Sequence, residues 1–529
     1  MTWADGDRTW RTTANWLLRP RRGVFVLLFI SASVLSLRFM FAGWSGSLLE
    51  LHSFRQTQTA ISVASMLKSG DILHYQTPVL GPPWEIPMEF PFFQALVFVL
   101  VRTTGYPLDQ AGRAISLLLF LATLPPFYLL IRTWTNERST AVIALVLVCL
   151  SPQYIYWSRS FMIESAALST SIWYLYLVQT HLAGAKDRSR RVALLAAITV
   201  LGTLSALTKV TTFVIYFAIA LFMISLVLLR EGVQEKPMSR VGRFFREYGS
   251  LTIAAAVIPI LLETTWVFHS DHVKSLNPLG AALSSKALID WNFGTLAQKC
   301  SWDTWKQVLE RSVTDLFGDV QIAFVFFALP LCKRTTGLTS ALLIFMFVFP
   351  IAIFTNLYYV HSYYGYANGM VLIAALALII GDLVNRNTVG YWLAIGLVVV
   401  TTFKSVTWYT ENYRRFQGNP YRYQDLKAIA DRFTAPDEVL VLFGMDWSSE
   451  IPYYLDRRAL MLPTSLTTEV RYRQATENLR SYTVGGVLFC GTARYTPEQI
   501  SQVLKAVRVR PGVRLIVGRC DCIFRGSSN

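Results

Sequence analysis

Charged side chains are scarce in this chain. Asp, Glu, Lys and Arg make up 16% of its 529 residues, where a soluble globular protein carries about a quarter. Acids are the scarcer sign, 33 against 49 Lys and Arg, for a net charge of +16. No small-residue cleavage site follows the first apolar stretch, so Gly23–Gly43 reads as a retained span and not as a signal peptide. No Gly-rich phosphate loop, no nucleophile elbow and no internal repeat stands out. These absences exclude a soluble enzyme built on a phosphate loop or an exposed serine nucleophile. They also leave no sign of the inverted repeats of many transporters.

Apolar and aromatic residues are abundant, 53% and 14% of the chain. They gather into runs of ~20 residues, the length that crosses a bilayer as a helix. Spans are expected at 23–43 and near 111–131, 139–157, 162–181, 192–207, 210–229, 249–268, 318–332, 338–355, 366–383 and 389–406. The basic residues fall mostly in alternate short loops, as positive-inside topology requires, and this accounts for the net charge without nucleic acid.

Residues 1–22 hold Arg8, Arg11, Arg19, Arg21 and Arg22 and are expected in the cytoplasm, with Thr9–Leu18 able to lie on the membrane surface. The loops after every second span carry Arg132 and Arg138, then Lys186, Arg188, Arg190 and Arg191, then Arg230, Lys236, Arg240, Arg243 and Arg246, then Lys333 and Arg334, then Arg386. The opposite loops carry Arg159, Lys209 or, at 356–365, no basic residue. Eleven spans place the C-terminus outside. Two outer loops are long, 44–110 and 269–316. Within the first, Gln56–Lys68 has helical spacing, and Pro91–Thr104 is apolar but too short to cross, so it reads as an interfacial helix.

Three segments follow from these patterns: a basic N-terminus (1–22), an all-α polytopic membrane domain (23–406) and a small α/β domain outside the membrane (407–529). In the last, helices are expected at Asp425–Phe433, Ser449–Leu455, Thr467–Tyr482 and Pro497–Val507. Strands are expected at Glu438–Phe443, Gly486–Phe489 and Val513–Val517. Its role reads as structural or acceptor-docking. Cys490, Cys520 and Cys522 lie on adjacent strands there, and an oxidising compartment allows one bridge from Cys490.

The expected topology gathers acids and bases on the outer face. The first loop opens with His52-Ser-Phe-Arg55-Gln56-Thr-Gln58-Thr-Ala and later holds Glu89-Phe-Pro91. Arg113 starts the second span, Arg159-Ser-Phe-Met-Ile-Glu164 fills the next outer loop, Leu207-Thr-Lys209 the one after, and His361-Ser-Tyr-Tyr364 a later one. An acid such as Glu164 at the mouth of a span needs a partner or a function.

This order of motifs resembles the GT-C membrane glycosyltransferases. The likeness is to the aminoarabinose transferases and the dolichyl-phosphate-mannose protein mannosyltransferases, the bacterial family 39 type, and it covers roughly residues 20–400. The resemblance implies an extracytoplasmic-facing enzyme of the bacterial inner membrane. It would move a sugar from a polyprenyl-phosphate donor to a lipid, glycan or protein acceptor, with inversion. It implies cations on the leaving phosphate, for which Arg55, Lys209, Arg113 and Arg159 are the candidates. It implies a base for the acceptor hydroxyl, for which Glu89, Glu164 and His52 are the candidates. Gln56, Gln58, His361 and Tyr364 are the candidate substrate contacts. A divalent metal ion (Mg, Mn or Zn) is the one cofactor in view, with Glu164 and His52 as its ligands. The chain departs from the pattern where it matters: His52 stands where the family usually has Asp, and Gln58 stands at the other usual acidic place. Two alternatives stay open, a carrier or flippase for a lipid-linked sugar and an inactive homologue serving as an assembly partner.

Overall fold

A computed structural model describes residues 20–184, 187–231, 248–418, 422–492 and 495–526. The basic stretch Arg8–Arg19, the expected surface segment Thr9–Leu18, and the loop residues Lys186, Lys236, Arg240, Arg243 and Arg246 lie outside them.

A backbone in hydrocarbon must satisfy its own hydrogen bonds, and apolar runs of this length do so as helices. Among the described residues eight helices are long and apolar enough to cross a bilayer: 23–40, 108–135, 188–208, 210–227, 248–275, 334–353, 362–384 and 388–416. The apolar helix Val320–Leu331, in 3-10 form, makes a ninth only if it is joined to Trp302–Phe317, from which it bends by 93°. Eleven spans were expected, and the difference has local causes. The run 139–157 breaks at Ser151-Pro152 into Arg138–Leu150 and Pro152–Trp157, because the residue before a proline is driven to extended geometry; Ser151 has ψ 124°. Twelve of the thirteen residues of Arg138–Leu150 are buried, so this helix is core on every side. Glu164–Leu182 is full length but carries Ser165, Ser169, Thr170 and Ser171 among its apolar residues. Gly365–Val384 forms the axis of the bundle, buried from Gly365 to Asp382.

Large apolar side chains such as Leu27, Val34, Leu118, Val200, Leu261, Phe345 and Phe403 are more than half exposed on the outer faces of these helices. In water such a girdle is costly; in lipid it is the expected surface.

In the first long loop, Ser53–Ser69 and Phe92–Thr104 are helical. The second spans roughly 20 Å at 1.5 Å per residue, short of the hydrocarbon thickness.

The C-terminal part carries a five-stranded sheet of order β2-β1-β3-β5-β4. Its strands are β1 (Val439–Phe443), β2 (Ala459–Met461), β3 (Val484–Cys490), β4 (Pro511–Val517) and β5 (Cys520–Arg525). β1 pairs in parallel with β2 and β3, while β5 runs antiparallel to both β3 and β4. The short β2 was not anticipated from the sequence, and β5 only as the strand carrying Cys520 and Cys522. Helices cover the sheet at Gln424–Phe433, Glu450–Leu455, Glu469–Asn478 and Pro497–Ala506, the last entered through a capping box on Thr496 and Gln499. The expected bridge from Cys490 is made to Cys520, its paired residue on β5, and Cys522 stays a buried thiol.

The first long loop and the sheet form one body. Met461 N–H donates to Val79 O (2.9 Å), Ala459 N–H to Pro78 O (3.0 Å) and Gly81 N–H to Ala459 O (3.0 Å), so residues 78–81 cover the exposed edge of β2. Gly81, with φ +75°, lies where an added Cβ would meet the Leu460 side chain at 2.9 Å, which excludes a larger residue. Val79, Leu80, Trp84 and Ile86 of the loop, with Leu279 and Leu283 of the second long loop, join the sheet's apolar face in one core. Asn277 ties the two loops, its Nδ2 donating to Gly81 O (2.8 Å) and Pro83 O (2.9 Å).

Candidate active site

Four segments far apart in sequence meet where the helices end against the first long loop. His52 precedes the Ser53–Ser69 helix with a left-handed backbone, φ 53°. That turn sets Arg55 on the first helical turn, where its Nη2 reaches Glu89 Oε2 at 2.9 Å and its Nη1 reaches Gln58 Oε1 at 2.5 Å. Gln94 Nε2 donates to the other oxygen of Glu89 (3.1 Å), and Tyr75 O–H donates to Glu89 O (2.9 Å). Both carboxylate oxygens of Glu89 are therefore engaged.

Lys209 occupies the break between the helices Arg188–Thr208 and Val210–Glu231, in extended geometry. Its Nζ donates to Glu164 Oε1 at 2.7 Å and stands 4.0 Å from the ring centre of Tyr364 and 5.1 Å from that of Tyr363. The second oxygen of Glu164, Oε2, is buried with no hydrogen-bond partner among the described residues. Phe90 N–H donates to Leu207 O (3.2 Å), which fixes Glu89 beside the Lys209 turn, and the Arg55 charge feels Glu164 as well as Glu89. The two acid–base pairs thus make one cluster, two carboxylates against two cations.

An aromatic and imidazole wall completes it. The His52 ring lies 5.0 Å from Tyr363 and 5.5 Å from His361, and His361 stacks on Tyr363 at 5.1 Å. Burial first, and then the positive Arg311, lowers the His52 pKa to about 4, against a smaller opposing effect of Glu164. Burial, with His52, Lys209, Arg55 and Arg311 around it, lowers His361 to about 3. Both imidazoles are therefore neutral near pH 7, and neither is a cationic phosphate ligand. For Arg55, burial opposes the charge, but Glu89, with Tyr363 and Glu164, outweighs it and raises the pKa.

The histidines predict an acid sensitivity. An unfolded histidine titrates near 6.5, so between that pH and about 4 the unfolded chain binds protons that folded His52 and His361 refuse. Stability is full above pH 6.5 and falls as the pH drops toward 4. The thermal midpoint of the detergent-solubilised protein is expected to fall between pH 7 and pH 5. The fall should be smaller in a His52→Gln/His361→Gln variant, and equal falls in both proteins would rule the histidines out as its source.

Residues 85–245 match the family model described as dolichyl-phosphate-mannose-protein mannosyltransferase. That window contains Glu89, Glu164 and Lys209. No curated protein matches the sequence. Among solved structures, the chain is similar to ArnT from Cupriavidus metallidurans bound to undecaprenyl phosphate: TM-score 0.60, 12% identity, 94% of this chain and 97% of that one. The fold is GT-C. The archaeal oligosaccharyltransferase AglB from Archaeoglobus fulgidus, in complex with an inhibitory peptide and a dolichol-phosphate, shares it at TM-score 0.53 and 12% identity, over 90% of this chain and 70% of that one. The arabinofuranosyltransferase AftD from Mycobacteria shares it at TM-score 0.54 and 13% identity, over 94% of this chain but 40% of that one.

Within this GT-C frame the structure separates the expected site residues. It brings together His52, Arg55, Gln58, Glu89, Glu164, Lys209, His361 and Tyr364. Arg113 and Arg159 do not join them. Their guanidinium groups are fully buried and bind Glu50, Arg113 Nη2 at 3.1 Å and Arg159 Nη1 at 2.9 Å, so they are spent on a carboxylate inside the protein and not free for phosphate. Gln56 is also turned inward and fully buried: its Nε2 donates to Leu51 O (3.0 Å) and its Oε1 accepts from Phe161 N–H (3.1 Å). Glu50 was missed. The signal was an acid among leucines, Leu48-Leu-Glu50-Leu, at the outer end of the first span.

The expected metal ligands do not fit a metal. Glu164 has one oxygen on Lys209 and one without a partner among the described residues, but no group of three or more His, Cys, Asp or Glu side chains converges among those residues. The chain is also similar to the Archaeoglobus fulgidus oligosaccharyltransferase in complex with Zn and sulfate, at TM-score 0.51 and 13% identity.

Proposed function

We propose that this chain is a membrane glycosyltransferase that moves a sugar from a polyprenyl-phosphate donor to a hydroxyl-bearing lipid, glycan or protein acceptor on the extracytoplasmic face. The observation that carries the reading is the cluster of Arg55, Lys209, Glu89 and Glu164, placed at the ends of the membrane helices and not midway through them. Undecaprenyl phosphate on ArnT and dolichol-phosphate on AglB support the same donor class for this fold.

In this reading Arg55 and Lys209 take the donor phosphate by charge-assisted hydrogen bonds. The acceptor oxygen attacks the anomeric carbon, the bond from that carbon to the phosphate oxygen breaks, and the electron pair leaves with polyprenyl phosphate. The acceptor's proton passes to Glu164 Oε2, the one carboxylate oxygen of the cluster without a partner among the described residues. Glu89 keeps Arg55 charged and aimed. His52, standing in the place of the usual acid, lines the site as a neutral group. Purified protein given radiolabelled polyprenyl-phosphate sugars and a membrane extract as acceptor should move label out of the donor. Label that crosses a vesicle wall still attached to the lipid would support a flippase, and label that neither moves nor crosses would sink the reading.

The sidedness belongs to the same proposal: residues 1–22 in the cytoplasm, the 23–406 segment in the inner membrane and the 407–529 domain outside. The Cys490–Cys520 bridge supports it, since such bridges persist in oxidising compartments. A cysteine introduced at Ser501 should react with an impermeant maleimide in intact cells exposed to reagent from outside the inner membrane, and one at Arg190 only after permeabilisation. The reverse order would overturn both topology and site.

A further inference from the structure

The C-terminal domain touches the segment 44–58 at Ser53, whose Oγ donates to Glu450, at Phe54, whose ring meets Trp447, and through two tyrosines that border a group of buried charges. Tyr453 and Tyr454 sit at the end of the helix Glu450–Leu455. Both hydroxyls donate to Asp109, that of Tyr454 at 3.1 Å, and the Tyr454 oxygen also accepts Leu48 N–H at 2.6 Å. Asp109 lies in the first turn of the helix Leu108–Thr135, one turn before Arg113. Arg113 donates to Trp44 O (2.7 Å), Gly46 O (2.6 Å) and Ser47 O (2.9 Å), and then to Glu50. Arg159 grips both oxygens of Glu50, at 2.9 and 3.0 Å, and Gly418 N–H, in the connection to the C-terminal domain, adds a fourth donor at 3.2 Å.

Asp109, Arg113, Glu50 and Arg159 balance, two acids against two bases. None of them touches the Arg55–Glu89 and Lys209–Glu164 pairs. Yet the segment they hold, residues 44–50, runs directly into His52 and Arg55. Its next residue, Leu51, donates N–H to the Tyr156 hydroxyl oxygen at 2.8 Å, and Gln56 ties it to Phe161 N–H, three residues before Glu164. One network therefore sets both halves of the cluster, and its outer end belongs to another domain. A left-handed residue at His52 needs such support, because non-glycine residues adopt that geometry only where their surroundings enforce it.

We propose that Glu50 is a positioning residue for the reaction and that the C-terminal domain sets it through Tyr453 and Tyr454. The domain is then part of the catalytic apparatus although it contributes no reacting group. The kinetic half of this inference rests on the proposed transferase reading; the structural half does not.

The test is the full-length Tyr453→Phe/Tyr454→Phe variant, which keeps both rings and removes only the hydroxyls. Amide exchange is followed in peptides covering 44–58, with β1 and β3 as internal controls, alongside transfer kinetics. The expected result is exchange at least tenfold faster across 44–58, unchanged strands, and kcat lowered three- to tenfold with KM for the donor unchanged. Protection of 44–58 equal to the parent's overturns the proposal. Faster exchange with unchanged kcat reduces the network to a purely structural role and overturns it as well. Should the strands also lose protection, Asp109→Asn, which leaves the domain's own residues intact, is read by the same two outcomes. A parent that transfers no label sinks the transferase reading but leaves the exchange result standing.

Discussion

Replacing Glu164 with glutamine is expected to lower turnover by about 10²–10⁴-fold, the range for loss of a general base. The carboxylate is almost wholly buried, with one oxygen on Lys209 and the other without a partner among the described residues. Glutamine keeps the size and can still accept from Lys209, so the fold should survive. It cannot take the acceptor's proton. The signature is a fall in kcat at saturating donor, with a smaller change in KM from the lost charge beside Lys209. Glu89→Gln separates the roles: its carboxylate is fully engaged by Arg55 and Gln94, so it should act on donor affinity through Arg55 more than on the chemical step. Full turnover in Glu164→Gln would show that the base lies elsewhere.

The second large effect is expected on the donor. In the proposed reading Lys209→Ala and Arg55→Ala each lose a charge-assisted hydrogen bond to phosphate, about 1.5–3 kcal/mol, or roughly ten- to a hundredfold in donor use. Lys209 should be the more sensitive. Its side chain is buried under Tyr363 and Tyr364, and its removal also leaves Glu164 as a buried charge without a counter-ion. Lys209→Arg keeps the charge but lengthens the group in a packed place, so it should recover only part of the loss. Binding of undecaprenyl phosphate to the purified variants, read by native mass spectrometry, is the measurement. Parent-like binding by both alanine variants would make these residues ordinary interfacial cations.

The two classes of expected cation show where reading residues in order reaches its limit. Arg55, Lys209, Arg113 and Arg159 are alike in sequence: each is a lone base at the outer end of an apolar segment. In the folded chain the first two line the cluster and the other two are consumed by Glu50. Nothing in local spacing distinguishes them, because Glu50 stands 63 residues from Arg113 and 109 from Arg159. Glu89 and Glu164 were likewise equal candidates for the base. Only their partners, Gln94 and Arg55 for one and Lys209 for the other, distinguish them: among the described residues, Glu164 and not Glu89 keeps a carboxylate oxygen without a partner.

By itself the sequence determined the class of solvent and most of the elements. Hydrophobic runs and alternating strand patterns act over a few residues, so a linear reading recovers most of them: the apolar helices, the short helix Phe92–Thr104 and the strands other than β2. It erred where it passed over a local break, at Ser151-Pro152 in the Arg138–Trp157 stretch, and where the chain bends, between Trp302–Phe317 and Val320–Leu331. Tertiary structure alone decided which charge meets which, that residues 78–81 cover the β2 edge, and that the C-terminal domain meets the first long loop at Leu48, Ser53 and Phe54. The physical reason is range. Burial and backbone hydrogen bonding are settled by nearby residues. An ion pair in a low-dielectric interior is settled by whichever opposite charge the whole fold brings within about 3 Å.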